Sequence, residues 1–132
     1  MNDYVDAAER HYLGATALQM TCMASASHSY GISAECFLKA LMSNQQPQPN
    51  PISKNHMSSG LWTQFSTCSA LSANPTLVAA AKQFETCFVT WDVHQRYFNR
   101  NHPAFAPVTV ADQKKGAEGL KGLLQKVQQG LI

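Results

Sequence analysis

Amphipathic helical periodicity runs through most of this chain, and it restricts the possible folds more than any other feature. The clearest segment is 74–101, where apolar residues recur at steps of four, three, four and three. These steps place the apolar residues on one face of an α-helix. Asn74 as N-cap and Pro75 at the first helical position mark its start. The apolar stripe, which we expect to face the core, consists of Leu77, Ala81, Phe84, Phe88 and Trp91.

The same periodicity predicts three earlier helices. They cover residues 3–23, 27–43 and 58–70. Asp3 is the expected N-cap of the first, and Ser25 or Ser27 is the expected N-cap of the second, because short polar side chains accept hydrogen bonds from the first helical turn.

A last helix is expected to start near Thr109 and to run to Leu131. Gly116, Gly119 and Gly122 lie within it. Each glycine lowers the intrinsic stability of a helix by up to about 1 kcal/mol. We therefore expect this segment to be helical only because it packs against the rest of the chain.

The whole sequence of 132 residues indicates one all-α domain over 1–132. No strand-like alternation of useful length and no internal repeat is evident. Segment 44–56 begins with "NQQPQPNP", whose prolines oppose a helix, and we expect it to be a flexible loop. Four or five helices with otherwise short connections predict an up-and-down bundle.

Composition excludes several classes of protein. The net charge is only +2, with 14% charged residues, so any contact with nucleic acid must be local. No apolar run reaches the roughly 18 residues of a membrane helix, and the polar, acidic start is unlike a signal segment, which favours a cytoplasmic protein without a membrane. The cysteines lie far apart without a C-x-x-C pair, and we expect them to be small buried hydrophobic residues. They are Cys22, Cys36, Cys68 and Cys87.

No metal or cofactor is predicted. The Glu-x-x-His pairs of a di-iron bundle are absent, as are the haem-attachment, zinc-protease, phosphate-loop and nucleophile-elbow motifs. His94 and His102, with Asp92 nearby, do not have a recognised ligand spacing.

The stretch "RYFNRNH" at 96–102 is the best candidate for chemistry. On an unbroken helix, Arg96 and His102 would lie about 120° apart. Pro103, however, biases His102 toward an extended conformation, from which the imidazole could fold back toward Arg96. A guanidinium that binds phosphate and an imidazole that transfers a proton at neutral pH suit the cleavage of RNA at its 2′-hydroxyl.

Neighbouring residues can support such a site. Tyr97, Asn99, Arg100 and Asn101 offer further donors, and Tyr97 or Phe98 can stack on a base. The alternative is that this stretch is only a solvated helix end, where cations are favourable for the helix dipole alone.

Four motifs of the sequence resemble the HEPN domain, a small all-α domain of prokaryotic defence and toxin–antitoxin systems. They are "DAAERHYLGATAL", "ASHSYGISAECFLKALM", "KNHMSSGLWTQF" and "TWDVHQRYFNRNH". The resemblance covers roughly residues 3–102, and the last helix more weakly. It is most specific in "YGISAECFLKAL" and in the W-x-x-x-x-R-Y pattern.

The resemblance implies a homodimer and a metal-independent endoribonuclease, because HEPN ribonucleases carry an arginine and a histidine four to six residues apart in a cleft between two protomers. Arg96 would then hold the scissile phosphate, and His102 would help activate the 2′-hydroxyl, leaving a 2′,3′-cyclic phosphate. The sequence departs from many active members at Tyr97 and from some at Ala104.

Related members without the histidine act as binding or scaffold partners. The resemblance therefore also implies an alternative, a non-catalytic module that associates with a nucleotidyltransferase-like or other partner. Glu35 is a further candidate residue, since a carboxylate among apolar neighbours needs a partner. Arg96 on the facing helix and Lys39 at i+4 are the candidates, and the alternative is a glutamate on the helix surface that pairs with Lys39.

Overall fold

The computed structural model describes residues 3–43, 56–68 and 74–132, and these residues are all-α without a strand, as predicted. The α-helices are α1 (Tyr4–Leu18), α2 (Met23–Ser43), α3 (Leu61–Thr67), α4 (Pro75–Lys82) and α5 (Pro107–Gln128). Short 3₁₀ turns cover Met57–Ser59, Glu85–Phe88, Val93–Tyr97 and Pro103–Phe105. The predicted loop lies outside the described residues except for His56, and so do the last two residues of the helix predicted over 58–70. The HEPN-like arrangement of the bundle stays a prediction.

α1 and α2 form an antiparallel pair. Ser33 donates a hydrogen bond to the carbonyl oxygen of Ala8 (2.7 Å), whereas Tyr30, one turn earlier in α2, meets Tyr12 with ring centroids 5.9 Å apart. The partner in α2 moves backward as the position in α1 moves forward, so the helices run in opposite directions. Asp3 caps α1 as predicted, by accepting from the N–H of Asp6 (3.0 Å).

The predicted start of α2 is wrong. The helix begins at Met23, and the carbonyl of Cys22 accepts the first helical bond, from the N–H of Ala26 (3.0 Å). Neither Ser25 nor Ser27 is therefore the N-cap. Ser27 is fully buried, and its hydroxyl bonds with side chains of other elements.

The single long helix predicted over 74–101 is also wrong. Asn74 caps α4 as predicted by accepting from Leu77 N–H (3.2 Å), but the helix ends at Lys82. Two 3₁₀ turns follow, separated at Asp92, which caps the second by accepting from the N–H of His94 (2.7 Å). Residues 83–92, between α4 and the second turn, are rich in β-branched and aromatic residues, which are weak helix formers.

The apolar stripe nevertheless faces the core. Leu77, Ala81, Phe88 and Trp91 are buried, and Phe84 is partly buried. The period of the stripe predicted burial correctly, although the backbone that carries it is not one helix.

α5 packs on α2 and on the Glu85–Phe88 turn. It starts two residues before the predicted Thr109, at Pro107, and ends at Gln128. Gly116 lies under the ring of Phe88, and Gly119 lies under that of Phe84: an added Cβ would come within 2.5 Å and 2.2 Å of those rings. Gly116 and Gly119 thus admit aromatic side chains at close range.

The four cysteines are free thiols, but only Cys68 is buried as expected. Cys36 and Cys87 are half-buried against the core, where burial raises the pKa of Cys36 to about 11. Among the helices of the described residues, none is long and apolar enough to cross a membrane.

Candidate nucleic-acid interface

Buried hydrogen bonds fix the segment that carries the candidate site. Ser27 in α2 donates to Gln113 Oε1 of α5 (2.7 Å) and accepts from Gln95 Nε2 (2.7 Å). The indole N–H of Trp91 donates to the carbonyl oxygen of Ser27 (3.1 Å). The Val93–Tyr97 turn is therefore held to α2, and through Ser27 to α5, by hydrogen bonds that the sequence analysis did not predict.

Gly31 makes this attachment possible. A Cβ at this position would lie 1.9 Å from the indole of Trp91, so only glycine lets the ring approach α2 this closely. Gly31 belongs to the "YGISAECFLKAL" motif, one of the two most specific parts of the resemblance. In the structure this glycine allows the close packing of Trp91 on α2.

Arg96 lies on this turn and is exposed. Its guanidinium is 4.8 Å from the centre of the Tyr97 ring, and no carboxylate in the described part of the chain forms an ion pair with it. It lines a groove of about 280 Å³ between the first turns of α2 and the Val93–Tyr97 turn. The lining residues are Ala24, Ser25, His28, Ser29, Gln95, Arg96 and Phe98.

His102 has the extended backbone that Pro103 predicts, with φ −61° and ψ 139°. Its Nδ1 accepts a hydrogen bond from the N–H of Ala104 (3.0 Å). The exposed ring stacks on Phe98, with centroids 4.7 Å apart and planes at 30°. Within the described residues no hydrogen bond or ion pair joins His102 to Arg96, and Phe98 is the side chain that touches both the groove and His102.

The predicted supporting residues differ in their surroundings. Tyr97 is 74% exposed, and Arg100 and Asn101 are exposed as well. The side chain of Asn99 accepts from the N–H of Asn101 (2.9 Å), and its carbonyl accepts from the N–H of His102 (2.9 Å). Asn99 thus stabilises the loop on which Arg100 and His102 lie.

Glu35 is buried, at 3% exposure, so it is not a glutamate on the helix surface. Its carboxylate accepts from the backbone N–H of Met57 (2.9 Å) and pairs with His56 Nδ1 (3.1 Å). Arg96 is not its partner among the described residues. These hydrogen bonds of Glu35 connect the Met57–Ser59 turn and the preceding His56 to α2. Glu35 does not line the groove.

His28 is the groove residue that the sequence analysis missed. Its ring stacks on Trp91, with centroids 6.1 Å apart and planes at 19°. Its Nδ1 is buried, with no hydrogen-bond partner in the described part of the chain. Burial lowers the pKa of His28, and the positive charge of Arg96 and the neighbouring His11 lower it further. No spacing motif marks His28, because Arg96 lies 68 residues further along the chain.

Groups of three or more His, Cys, Asp or Glu that could hold a metal ion do not occur among the residues described. The exposed pair Asp92–His94 (2.9 Å) is a local contact at the N-cap of a 3₁₀ turn.

Comparison with known proteins gives no match to a protein-family model, to a curated protein or to a solved structure. The HEPN resemblance therefore rests on the motifs of the sequence.

Proposed function

We propose that this chain is a HEPN-like module that binds single-stranded RNA without cleaving it, through the surface formed by residues 96–102. The observation that supports binding over cleavage is the hydrogen bond from Ala104 N–H to His102 Nδ1 (3.0 Å).

A general base must offer an unoccupied lone pair to the proton that it takes. In neutral His102, Nδ1 already accepts a hydrogen bond, so the ring proton belongs on Nε2. Nε2–H can donate to a phosphate oxygen, but it cannot accept the proton of a 2′-hydroxyl. The imidazole in this arrangement is suited to binding RNA and not to activating it.

The same surface offers the groups that hold single strands. Arg96 and Arg100 supply positive charge for the phosphates, and the stacked rings of Phe98 and His102 form an aromatic platform. Because the net charge is only +2, RNA affinity rests on these local groups and falls with added salt.

The resemblance further supports a homodimer and a partner of the nucleotidyltransferase type, in a defence or toxin–antitoxin system of the cytoplasm. The exposed ring of Tyr97 beside Arg96 is available to a second copy. Cleavage by a composite site is the competing hypothesis, and a gel assay of the same RNA tests it.

Fluorescence anisotropy with a labelled single-stranded oligoribonucleotide tests binding. Phe98→Ala should weaken binding by about 5- to 150-fold, which corresponds to the roughly 1–3 kcal/mol of one stacked base. Arg96→Ala and Arg100→Ala should weaken binding and reduce its salt dependence. Arg10→Ala is the matched control, because Arg10 is paired with Asp6 on α1 (2.8 Å). An absence of RNA binding by the wild type contradicts the proposal.

A gel assay of the same RNA in EDTA tests cleavage. We expect intact RNA with the wild type. If the wild type cleaves and His102→Ala does not, the chain is a metal-independent ribonuclease and the non-cleaving proposal is wrong.

A further inference from the structure

We propose that the groove beside Arg96 is a phosphomonoester site that takes the terminal phosphate of an RNA strand, with His28 as a hydrogen-bond donor in it. The choice of RNA as the source of the phosphate rests on the proposed function. The groove itself rests on its own geometry, apart from residues 99–102.

The lining of the groove is that of an anion site. It combines the guanidinium of Arg96, the imidazole of His28 and the hydroxyls of Ser25 and Ser29, and no carboxylate lines it in the described part of the chain. Arg96 is not neutralised by an ion pair there. The groove also includes Ala24 and Ser25 from the first turn of α2, where the dipole of this 21-residue helix is positive.

One ring nitrogen of His28 has no hydrogen-bond partner among the described residues. This nitrogen, Nδ1, is buried. A buried N–H without an acceptor is rarer in proteins than an acceptor without a donor, so the neutral ring carries its proton on Nε2. Nε2 is then the ring nitrogen that can meet a ligand, and it does so as a donor. A phosphate oxygen can accept the hydrogen bond that Nε2–H donates, whereas a cation cannot.

The size of the groove and its hydrogen-bond donors favour a terminal phosphomonoester over a phosphodiester within the RNA strand. About 280 Å³ is just below the usual range for small-molecule sites, which suits one terminal phosphate group. A terminal phosphate presents three free oxygens and up to two negative charges. The fork of Arg96 can take two oxygens, and His28 with a serine hydroxyl can take the third. Phe98 at the rim can stack on the terminal base.

Matched oligoribonucleotides test the inference. One strand is prepared with a 5′-phosphate, one with a 3′-phosphate and one with hydroxyls at both ends, each carrying the same internal label. We expect one phosphorylated form to bind at least about tenfold tighter than the hydroxyl form, the effect of roughly one charge-assisted hydrogen bond. His28→Ala should abolish that preference and leave binding of the hydroxyl strand unchanged.

Two further variants control for unfolding of His28→Ala and for the loss of a histidine elsewhere. Ser29→Ala removes a groove hydroxyl from a partly exposed position, so it should reduce the preference even if His28→Ala unfolds the protein. His94→Ala is the matched histidine control, since His94 is exposed, pairs with Asp92 and does not line the groove. It should retain the full preference.

Trp91 provides a second readout because its ring stacks on His28. Titration with adenosine monophosphate and with inorganic phosphate should change the tryptophan emission of the wild type, and adenosine should not. The change should disappear in Arg96→Ala.

The outcomes separate this inference from the proposed function. If all three strands bind equally and Phe98→Ala weakens each of them, RNA binding stands and the groove inference is wrong. If adenosine monophosphate changes the emission but no RNA binds, the groove stands as a phosphomonoester site and the proposed RNA function is wrong. If inorganic phosphate and adenosine monophosphate both leave the emission unchanged and no strand is preferred, the inference is overturned.

Discussion

At the scale of single residues, Ser27 connects three elements, namely α2, α5 and the Val93–Tyr97 turn. Its hydroxyl lies between the amides of Gln95 and Gln113, and all three residues are at most 1% exposed. Buried polar groups of this kind stabilise a fold only while each keeps its partner, because an unsatisfied donor or acceptor retains its full desolvation cost. The position of Arg96, next to Gln95 in the chain, therefore depends on a serine in a distant helix.

Ser27→Ala should destabilise the protein by about 1–3 kcal/mol for each amide that loses its partner. Urea unfolding followed by circular dichroism measures the change. Ser66→Ala is the matched control, because the Ser66 hydroxyl only donates back to the carbonyl of Trp62 in the same helix (2.9 Å), and its loss should stay within about 0.5 kcal/mol. If the two variants lose the same free energy of unfolding, the buried hydrogen bonds of Ser27 do not contribute as expected.

His28 gives the stability of the protein a defined pH dependence. Its pKa in the folded state lies below the ordinary 6.5 because of burial, Arg96 and His11. Between these two pKa values the unfolded chain binds more protons than the folded one, so stability falls as the pH drops below about 6.5. We expect His28→Gln to reduce this loss, and NMR titration of the wild-type imidazole to give a pKa below 6.5. The part due to His11, whose pKa is also lowered by burial, should remain. A His28 pKa at or above 6.5 would contradict the buried environment.

At the scale of elements, the break after α4 and the glycines of α5 belong to one packing arrangement. Because the chain leaves the helix at Lys82, Phe84 and Phe88 can lie across Gly119 and Gly116. A continuous helix keeps its side chains on fixed rows of three and four residues, whereas the 3₁₀ turn re-orients them. The weak intrinsic helicity of α5 is thus the cost of close contact with two aromatic rings.

Two substitutions in α5 separate the effect of helix propensity on stability from the effect of side-chain packing. Gly119→Ala should destabilise by about 1–3 kcal/mol, because its Cβ would come within 2.2 Å of the Phe84 ring. Gly122→Ala places its Cβ where nothing lies within 4 Å and should stabilise by about 1 kcal/mol through helix propensity. Thermal unfolding of both variants beside the wild type measures the difference. Stabilisation by Gly119→Ala would show that the ring can move aside.

At the scale of the whole molecule, the prediction concerns the oligomeric state. The resemblance implies a homodimer whose protomers meet near residues 96–102. Tyr97 and Phe98 do not project from one long helix, because the helix predicted over 74–101 ends at Lys82. Both rings are nonetheless exposed, Tyr97 by 74% and Phe98 by 40%.

Light scattering at micromolar concentration should therefore give twice the mass of the 14.5 kDa chain. Tyr97→Ser should shift the protein toward monomer, since an exposed aromatic ring of this size is a typical interface anchor. Leu13→Ser, which changes a 66% exposed apolar residue on α1, should leave the mass unchanged. A monomeric wild type would contradict the dimer and, with it, any composite cleft.

The sequence by itself determined the helical class, the burial of the stripe from Leu77 to Trp91, the caps at Asp3 and Asn74, and the extended backbone of His102. Each of these depends on neighbours within a few residues, through helical period, capping or the steric effect of a following proline. Only the tertiary structure decided that α4 ends at Lys82, that Glu35 meets His56, and that His28 lies beside Arg96. The two contacts join residues far apart in the chain, which no local period or cap specifies. The segment after α4 is held to α2 by packing of Trp91 against Gly31 and by the hydrogen bonds of Ser27, and these outweigh the weak local preference for one continuous helix.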